Sequence, residues 1–451
     1  MIAPARIAAY EILTAVSAGS ADLPTAIAAA RETLRDDRDR ALAAEIATGV
    51  QRWRAALDHL IVEYSRRAID RLDPEIVDIL RLGAYQLLHL TRVPASAVVD
   101  DGVDLARRAG KRSAAGFVNA VLRAISRNRR ALPLPPRPSA AGDRDAALAY
   151  LSVTLSHPRW LAARWYDRLG FDAAEAWMQF DNMPAPVTLR VNRLRMTRDQ
   201  LAGALDREEV RVRPGRYAAD ALVVEEGHPL RGAGVAAGWF VVQDEASQLV
   251  GAIAAAAPGR RVLDACASPG GKTTAIAAAM EGGLLVACDL RDRRVALLRR
   301  TIEATGAANI RIVQADLLRP LPFATSFDTV VVDAPCSGLG TLRRDPDIRW
   351  RRGEQDLPVF AASQLTMLRH AAEMVAPGGR LVYATCSSEP EENERVVDAF
   401  LTVVSGFERV DARTAAPALP PAVVDARGHL RTEPHRHGLE AFFAAVVVRS
   451  S

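Results

Sequence analysis

Short apolar segments alternate with helical segments from residue 261 onward, and this alternation constrains the fold more than any other feature. The candidate strands are 261–265, 284–289, 310–314, 327–333, 380–385 and 442–448, and the candidate helices between them are 271–281, 291–304, 359–375 and 391–403. Such alternation is typical of a doubly wound parallel sheet covered by helices. Ligands bind such sheets beyond the carboxyl ends of the strands. We therefore predict an α/β domain over residues 241–451, with its functional residues at those ends.

The chain before residue 241 divides into three further regions. Residues 1–130 show helical spacing of apolar side chains without strand alternation, which predicts an all-α domain. Residues 131–145 include a proline-rich stretch that cannot continue a helix, so they are predicted to be a linker. Residues 146–240 are predicted to form a small α/β subdomain, with helices at 146–180, a strand at 187–192 and a helix near 197–206.

Composition excludes several classes of protein. The 451 residues are 49% hydrophobic and 25% charged, which is ordinary for a globular chain. No apolar run reaches the ~18 residues of a membrane span, and Arg6 and Glu11 interrupt the apolar N-terminus, which makes it a poor signal peptide. The four cysteines form no CxxC pair, which argues against a disulfide framework and a zinc site. We expect a cytoplasmic monomer with no membrane contact and no metal.

Positive charge is concentrated near the end of the predicted helical domain. The net charge is +4, yet residues 104–137 hold nine basic residues and one acidic residue. Such a concentration favours a polyanionic partner, and a solvated helix face is the alternative. We name the predicted RNA-binding residues the basic stripe: Arg107, Arg108, Lys111, Arg112, Arg123, Arg127 and Arg130.

A glycine-containing loop follows the first strand of the predicted sheet. Residues 264–274 read Asp-Ala-Cys-Ala-Ser-Pro-Gly-Gly-Lys-Thr-Thr, and the two glycines let the backbone approach a ligand. The dinucleotide fingerprint is absent, and a phosphate-binding loop would need glycine where Cys266 stands. Asp289 and Asp316 end the next two strands, where they suit ribose hydroxyls and an adenine amino group. A nucleoside without phosphates, such as S-adenosylmethionine, fits better than a nucleoside triphosphate. Helix capping is the alternative role for any one acid.

Two cysteines follow the fourth and fifth predicted strands. Cys336 lies in Asp333-Ala-Pro-Cys-Ser-Gly, and Cys386 lies in Ala-Thr-Cys-Ser, ahead of the acidic run 389–393. Methylation of cytosine C5 needs a thiolate that adds at C6, an acid beside N3 and a second group for elimination. A free cysteine has a pKa of about 8.5, so the site must favour the thiolate. A regulatory disulfide and two ordinary buried cysteines are the alternatives.

These three motifs resemble those of the RNA (cytosine-C5)-methyltransferases of the NusB/Sun family. Residues 1–130 resemble the RNA-binding antitermination factor NusB, and the segment 343–350, Arg-Arg-Asp-Pro-Asp-Ile-Arg-Trp, also fits the family. The resemblance implies a Rossmann-like sheet, S-adenosylmethionine as cofactor and 16S rRNA, not DNA, as substrate. The same chemistry on tRNA or another RNA and a non-catalytic RNA-binding factor are the alternatives.

The resemblance also implies roles for individual residues. Cys386 would be the nucleophile, Cys336 the helper in product release, and Asp333 would face N3 of the cytosine. Gln243 matches a position at the edge of the active site. Glu440 and Ala441 stand where the family favours Asp-Gly, which puts an acidic role there in doubt. The implied cofactor-binding residues are Cys266, Ala267, Ser268, Pro269, Gly270, Gly271, Lys272, Asp289, Asp316 and Asp333.

Overall fold

The computed structural model describes residues 2–139 and 143–451, which fall into two compact units. The first unit comprises Met1–Pro184 with Leu342–Arg352, and the second comprises Ala185–Thr341 with Gly353–Ser451. The predicted linker at 131–145 includes residues 140–142, which lie outside the described residues. The predicted domain boundaries stay predictions.

Helices build the first unit, as the apolar spacing predicts for residues 1–130. The apolar faces of the helices up to residue 128 form one buried cluster that extends from Ala5 to Ile125. The helices are α1 Pro4–Ser17, α2 Leu23–Thr33, α3 Asp37–Arg52, α4 Arg54–Ser65, α5 Pro74–His89, α6 Ala95–Arg108, α7 Ala115–Asn128, α8 Arg144–Ala149, α9 Arg159–Leu169 and α10 Phe171–Asp181.

Helix α5 shows how the local sequence sets a helix start. Pro74 stands in the first turn, where its fixed φ suits a helix and its missing N–H is not needed. Asp73 occupies the N-cap position, but its carboxylate makes no capping bond. It lies instead 3.0 Å from Lys111 Nζ. Proline therefore sets the start of this helix, and one lysine of the basic stripe is engaged within the unit.

The segment Leu342–Arg352 returns from the second half of the chain to complete the first unit. Its short helix, α16 Ile348–Arg351, carries Arg349, whose side chain is fully buried. Arg349 Nη1 donates to the carbonyl of Ser156 at 2.9 Å and to Asn182 Oδ1 at 3.0 Å. The segment that the sequence marked as a family motif is thus part of the core of the helical unit.

A small antiparallel sheet opens the second unit. The predicted strand at 187–192 and helix near 197–206 are both present. Further strands that the sequence did not reveal flank them, and β2 reads Arg-Val-Arg-Pro with largely exposed side chains, which hides a strand pattern. The strand order is β2-β3-β1-β4. The elements are β1 Thr188–Val191, α11 Arg198–Asp206, β2 Arg211–Pro214, β3 Ala221–Glu226, α12 Ala233–Ala236 and β4 Phe240–Val242.

The larger sheet of the second unit contains all six strands predicted from residue 261 onward. Its order is β10-β12-β9-β8-β5-β6-β7, and β11 pairs with β12. Strands β5 to β9 run parallel, whereas β12 pairs antiparallel with β9, so the sheet is mixed. The strands are β5 Arg261–Asp264, β6 Leu284–Asp289, β7 Ile310–Gln314, β8 Phe327–Asp333, β9 Val375–Thr385, β10 Phe407–Val410, β11 Leu430–Arg431 and β12 Phe443–Arg449.

Helices cover both faces of this sheet, as the α/β fold class predicts. One buried cluster includes apolar residues of α13 and α14, and another includes those of α17 and α18. In the described residues, no helix has the length and apolar character needed to cross a membrane. The helices are α13 Glu245–Ala255, α14 Gly271–Ala279, α15 Asp292–Thr305, α17 Asp356–Glu373, α18 Glu394–Val403, α19 Ala412–Ala415 and α20 Pro434–His437.

The burial of Arg349 leads to a prediction about stability. Arg349→Ala removes the buried donor of the Ser156 carbonyl and of the Asn182 amide oxygen. We therefore expect the free energy of unfolding to fall by about 3 kcal/mol or more. Urea unfolding of the full chain, followed through the buried Trp165 and Trp177, measures it. Arg66→Ala, at a largely exposed side chain, should stay within about 0.5 kcal/mol of the unsubstituted protein. Equal unfolding midpoints for the two variants would contradict the structural role of Arg349.

Candidate active site

The register between β8 and β9 brings the two predicted cysteines together. Asp333, at the end of β8, pairs with Ala384 near the end of β9. Because the two strands are parallel, both end at the same edge of the sheet. Cys336 follows Asp333 by three residues, and Cys386 follows Ala384 by two. Their Sγ atoms lie 3.3 Å apart. Both thiols are free of disulfides.

Close backbone packing holds the two cysteine loops against each other. Gly340 N donates to the carbonyl of Cys386 at 2.9 Å, and Ala441 N donates to the carbonyl of Gly340 at 3.0 Å. A Cβ atom on Gly340 would lie 2.0 Å from the carbonyl oxygen of Ala441 and 2.7 Å from that of Cys386. Glycine is therefore required by the approach of the loops, and the Cys336 loop has little room to move away from Cys386.

The environment of Cys336 keeps its thiol protonated. The hydrogen bond with Cys386 raises the pKa of Cys336 well above its ordinary value, and burial and the charges of Cys386 and Glu392 add to the rise. In a pair of thiols this close, one proton is shared and a single negative charge is accommodated more easily than two.

A cavity of about 170 Å³ lies beside the glycine loop. Gly270 opens α14 with φ +104°, a backbone conformation that suits glycine. Six of the predicted cofactor-binding residues line the cavity, and Gln243 and Ser247, at the start of α13, close it from the other side. The predicted lining residues are Cys266, Ala267, Pro269, Gly271, Lys272 and Asp333.

Lys272 joins the glycine loop to the end of β8. Its Nζ lies 2.6 Å from Asp333 Oδ2 and 3.3 Å from Ser247 Oγ, and it is 5.7 Å from the ring centroid of Phe442. A compact ammonium can make these contacts within one small space, which a planar guanidinium could not fit as well. This geometry accounts for a lysine in a chain whose basic residues are otherwise almost all arginine.

The other two predicted nucleoside-binding acids lie outside the lining of this cavity. Asp289 accepts a hydrogen bond from Ser268 N at 3.1 Å and from Arg294 Nε at 3.1 Å. Asp316, in the loop after β7, accepts from Leu318 N at 2.9 Å. Asp289 therefore holds the backbone of the glycine loop through Ser268. In the part of the chain that the structure describes, Asp316 bonds to the backbone of its own loop.

Negative charge dominates the cavity. Burial raises the pKa of Asp264 to about 6, and the carboxylate of Asp333 adds to that rise. Burial also raises the pKa of Cys266 well above its ordinary value, with contributions from Asp264, Asp333 and Asp289. A ligand with positive charge is therefore favoured here, and a polyanion is disfavoured.

Polar atoms without partners face the same region. Within the described residues, Gln243 Oε1, Asp264 Oδ1 and Ser268 Oγ are buried and make no hydrogen bond. Buried polar atoms are nearly always satisfied, so these three mark positions where a ligand or water completes the bonding. The position of Gln243 at the edge of the site, implied by resemblance, agrees with its place in the lining.

The sequence reasoning assigned no role to Glu392, Ser337 and Ser387, which lie directly behind the cysteines. Glu392 is fully buried and accepts hydrogen bonds from both serine hydroxyls. The available signal was the serine that follows each cysteine, together with the acidic run after Cys386. The spacing alone could not show that one carboxylate reaches both.

The departure at positions 440 and 441 lies next to the Cys336 loop. Ala441 contacts Gly340 through the backbone bond described above. The Glu440 side chain is buried, and its carbonyl accepts from Thr432 Oγ1 at 2.6 Å. The acid at position 440 is thus buried directly before Ala441, the residue whose backbone contacts the Cys336 loop.

The basic stripe lies in the first unit, and several of its members form ion pairs with acids of the same unit. Arg107 pairs with Asp104 at 2.8 Å, and Lys111 contacts Asp73 and Glu75. Arg108 lies 3.6 Å from Glu11. The exposed remainder is Arg112, Arg123, Arg127 and Arg130. RNA binding by these residues stays a prediction.

Three family models match the chain. The model described as 16S rRNA methyltransferase RsmB/F matches residues 252–448, and the NusB family model matches residues 3–127. The ferredoxin-like domain of RsmF/B-like methyltransferases matches residues 157–231. The three matches follow the order of the predicted helical, small α/β and sheet regions.

Full-length relatives and solved structures agree with these matches. The chain is 35% identical to ribosomal RNA small subunit methyltransferase B of Pseudomonas putida, over 91% of this chain and 92% of that protein. It is 32% identical to the protein of that name in Pseudomonas syringae pv. tomato, over 98% and 96%. The crystal structure of PH0851 matches with a TM-score of 0.80 at 25% identity, over 99% of both chains. A methyltransferase homologue from Pyrococcus horikoshii matches with a TM-score of 0.57 at 25% identity, over 67% and 99%. The chain therefore belongs to the RsmB family of 16S rRNA methyltransferases.

Proposed function

We propose that this protein transfers a methyl group from S-adenosylmethionine to C5 of a cytosine in 16S rRNA, through a covalent bond between Cys386 and C6. The observation that carries the proposal is the 3.3 Å approach of two thiols beside an acidic cavity. The relatives named for ribosomal RNA small subunit methylation support the substrate class. The helical unit, which matches the NusB family, supports an RNA partner.

The cavity suits S-adenosylmethionine better than a nucleoside triphosphate. When bound, this cofactor would supply a methyl group activated by a positively charged sulfur. Its positive charges fit the field of Asp264, Asp333 and Asp289, which would repel phosphates. The unpartnered Asp264 Oδ1 and Gln243 Oε1 would offer acceptors to its ammonium and hydroxyl groups. Lys272 is engaged by Asp333 rather than directed toward a phosphate site.

The two cysteines would act at different steps of the reaction. Cys386 would lose its thiol proton and add to C6, and N3 would take up a proton beside Asp333, so that C5 would gain the electron density needed to accept the methyl group. Cys386 is also the first cause of the raised pKa of Cys336. Once Cys386 is bonded to C6 it can no longer carry negative charge, so the Cys336 thiol loses its proton more readily. With its own proton passed to water, the Cys336 thiolate would then take the proton from C5. The electrons of that C–H bond would re-form the C5–C6 double bond and expel Cys386 as a thiolate, while N3 gives up its proton.

Substitution of the two cysteines separates these roles. Cys386→Ala should abolish methylation and covalent capture of RNA. Cys336→Ala should still attack and transfer the methyl group but release product slowly, and so accumulate an adduct that depends on S-adenosylmethionine. Denaturing gels of the protein with radiolabelled 16S rRNA measure both. Cys288→Ala, at a buried thiol of β6, is the control and should behave as the unsubstituted protein in both assays. Adducts with Cys386→Ala and none with Cys336→Ala would reverse the assignment.

The cofactor assignment is tested at Asp289. Asp289→Ala should weaken S-adenosylmethionine binding by ~1–3 kcal/mol, because the carboxylate that holds Ser268 N of the glycine loop, and that we propose accepts from the ribose hydroxyls, is lost. Isothermal titration calorimetry measures the affinity. Asp292→Ala, three residues away where the carboxylate accepts from Gln314, is the matched control and should bind normally. Unchanged affinity in Asp289→Ala would remove this residue from the site, and ATP binding tighter than that of S-adenosylmethionine would restore the phosphate-loop reading.

The RNA-binding assignment is tested on the exposed part of the basic stripe. Replacement of Arg123, Arg127 and Arg130 by alanine should weaken RNA binding and lower the slope of log K against log salt by roughly one unit per lost phosphate contact. Filter binding over a salt series measures the slope. The same charge change at the exposed Arg31, Arg35 and Arg38 of the first unit is the control and should leave the slope nearly unchanged. Equal slopes for both triple variants would make the stripe an ordinary solvated face.

The choice of RNA is tested in cells. Bisulfite mapping of total RNA with and without the protein should show the loss of a methylated cytosine in 16S rRNA. Loss of a site in tRNA instead would retain the chemistry and change the substrate. No lost site in any RNA would favour a non-catalytic RNA-binding factor.

A further inference from the structure

Glu392 connects the two cysteine loops through a single buried carboxylate. Its Oε1 accepts from Ser337 N at 2.8 Å, and its Oε2 accepts from the hydroxyls of Ser337 and Ser387, each at 2.5 Å. Ser337 directly follows Cys336, and Ser387 directly follows Cys386. The backbone of each thiol is therefore one residue away from the same carboxylate.

A third element fixes the carboxylate itself. Gln364 of α17 donates from Nε2 to Glu392 Oε1 at 3.1 Å and to the carbonyl of Pro335 at 3.1 Å. The phenol of Tyr383 donates to the backbone carbonyl of Glu392 at 2.6 Å. A carboxylate held from several directions cannot shift without moving the groups that donate to it.

A buried carboxylate with four donors is costly to assemble unless its position matters or its bonds are excellent. Here the donors come from the loop after β8, the loop after β9 and the helix that covers them. The negative charge also contributes to keeping the proton on Cys336. The first effect acts on the loops of both cysteines, and the second acts on Cys336.

We propose that Glu392 is a positioning residue that fixes the spacing of the Cys336 and Cys386 thiols and thereby links attack at C6 to product release. This inference rests on the proposed two-cysteine reaction. Ser337 and Ser387 transmit the position of the carboxylate, each to its own cysteine. Glu392 itself touches no substrate.

Glu392→Gln is the first test, because an amide keeps the size of the side chain and removes the charge. The amide oxygen can accept from Ser337 N and Gln364, but its NH₂ group then faces the two hydroxyls, which must turn around to accept. We expect kcat to fall roughly tenfold to a hundredfold, as for a displacement of about 1 Å, while KM for S-adenosylmethionine and RNA changes little. Glu391→Gln, one residue away where the carboxylate pairs with Arg395, removes the same charge and should retain normal kcat.

The spacing of the thiols is measured without RNA or cofactor, with dibromobimane, which fluoresces strongly once it has alkylated two neighbouring thiols. The unsubstituted protein and Glu391→Gln should be cross-linked between Cys336 and Cys386, and Glu392→Gln should be cross-linked more slowly at an unchanged melting temperature. Cross-linking and kcat both at the unsubstituted level would overturn the proposal. A failure of the proposed function is distinguishable, because it would show as methylation by Cys386→Ala, whatever the cross-linking rate of Glu392→Gln.

Single serine variants keep the test decisive if Glu392→Gln folds poorly. Ser387→Ala should slow adduct formation, since it frees the Cys386 loop, whereas Ser337→Ala should slow release and increase the adduct at steady state. Identical effects of the two variants on attack and release would contradict a carboxylate that acts through each serine on its own cysteine.

Discussion

Parallel pairing of β8 with β9 is the constraint on which the active-site edge depends. It sets Asp333 beside Ala384. The few residues that follow each strand end therefore place both cysteines at the same edge of the sheet. A slip of one residue would turn Asp333 away from Lys272 and move one thiol away from the other. The contact at Gly340, where no Cβ can be accommodated, tightens this pairing beyond the sheet.

The electrostatics of the cavity follow from the burial of several acids around one ammonium. Lys272 compensates Asp333, but Asp264 keeps an oxygen without a partner, and Asp289 is shared between the loop backbone and Arg294. Buried charges of one sign are costly, and proteins retain them mainly where a ligand of opposite charge compensates them. In the proposed function, the acidic cavity and the neighbouring thiol pair therefore meet two separate requirements, one for the cofactor and one for the base to be modified.

The sequence allowed the α/β class, the six strands of the larger sheet and the position of each cysteine just after a strand to be predicted, because hydrophobic alternation and strand ends are local signals. It did not allow β2 to be predicted, because the arginines of that strand are exposed. Nor did it predict that β12 pairs antiparallel with β9, because that depends on the path of the chain after α18. The engagement of Lys111 by Asp73 was also missed, because residues 38 positions apart meet only through helix packing. For the same reason Glu392 drew no attention: its importance lies in three-dimensional bonds to Ser337 and Ser387.

The segment Leu342–Arg352 has a consequence for the order in which the chain can fold during synthesis. The first unit contains Met1–Pro184, yet Arg349 supplies the buried donors that satisfy Ser156 and Asn182. Those acceptors stay unpaired while the ribosome adds more than 150 further residues to the chain. The first unit therefore begins to emerge first but stays incomplete until Leu342–Arg352 has been added. A nascent chain or a fragment that ends near Pro184 exposes buried acceptors without their donor, and a chaperone or a protease can act on such an incomplete unit.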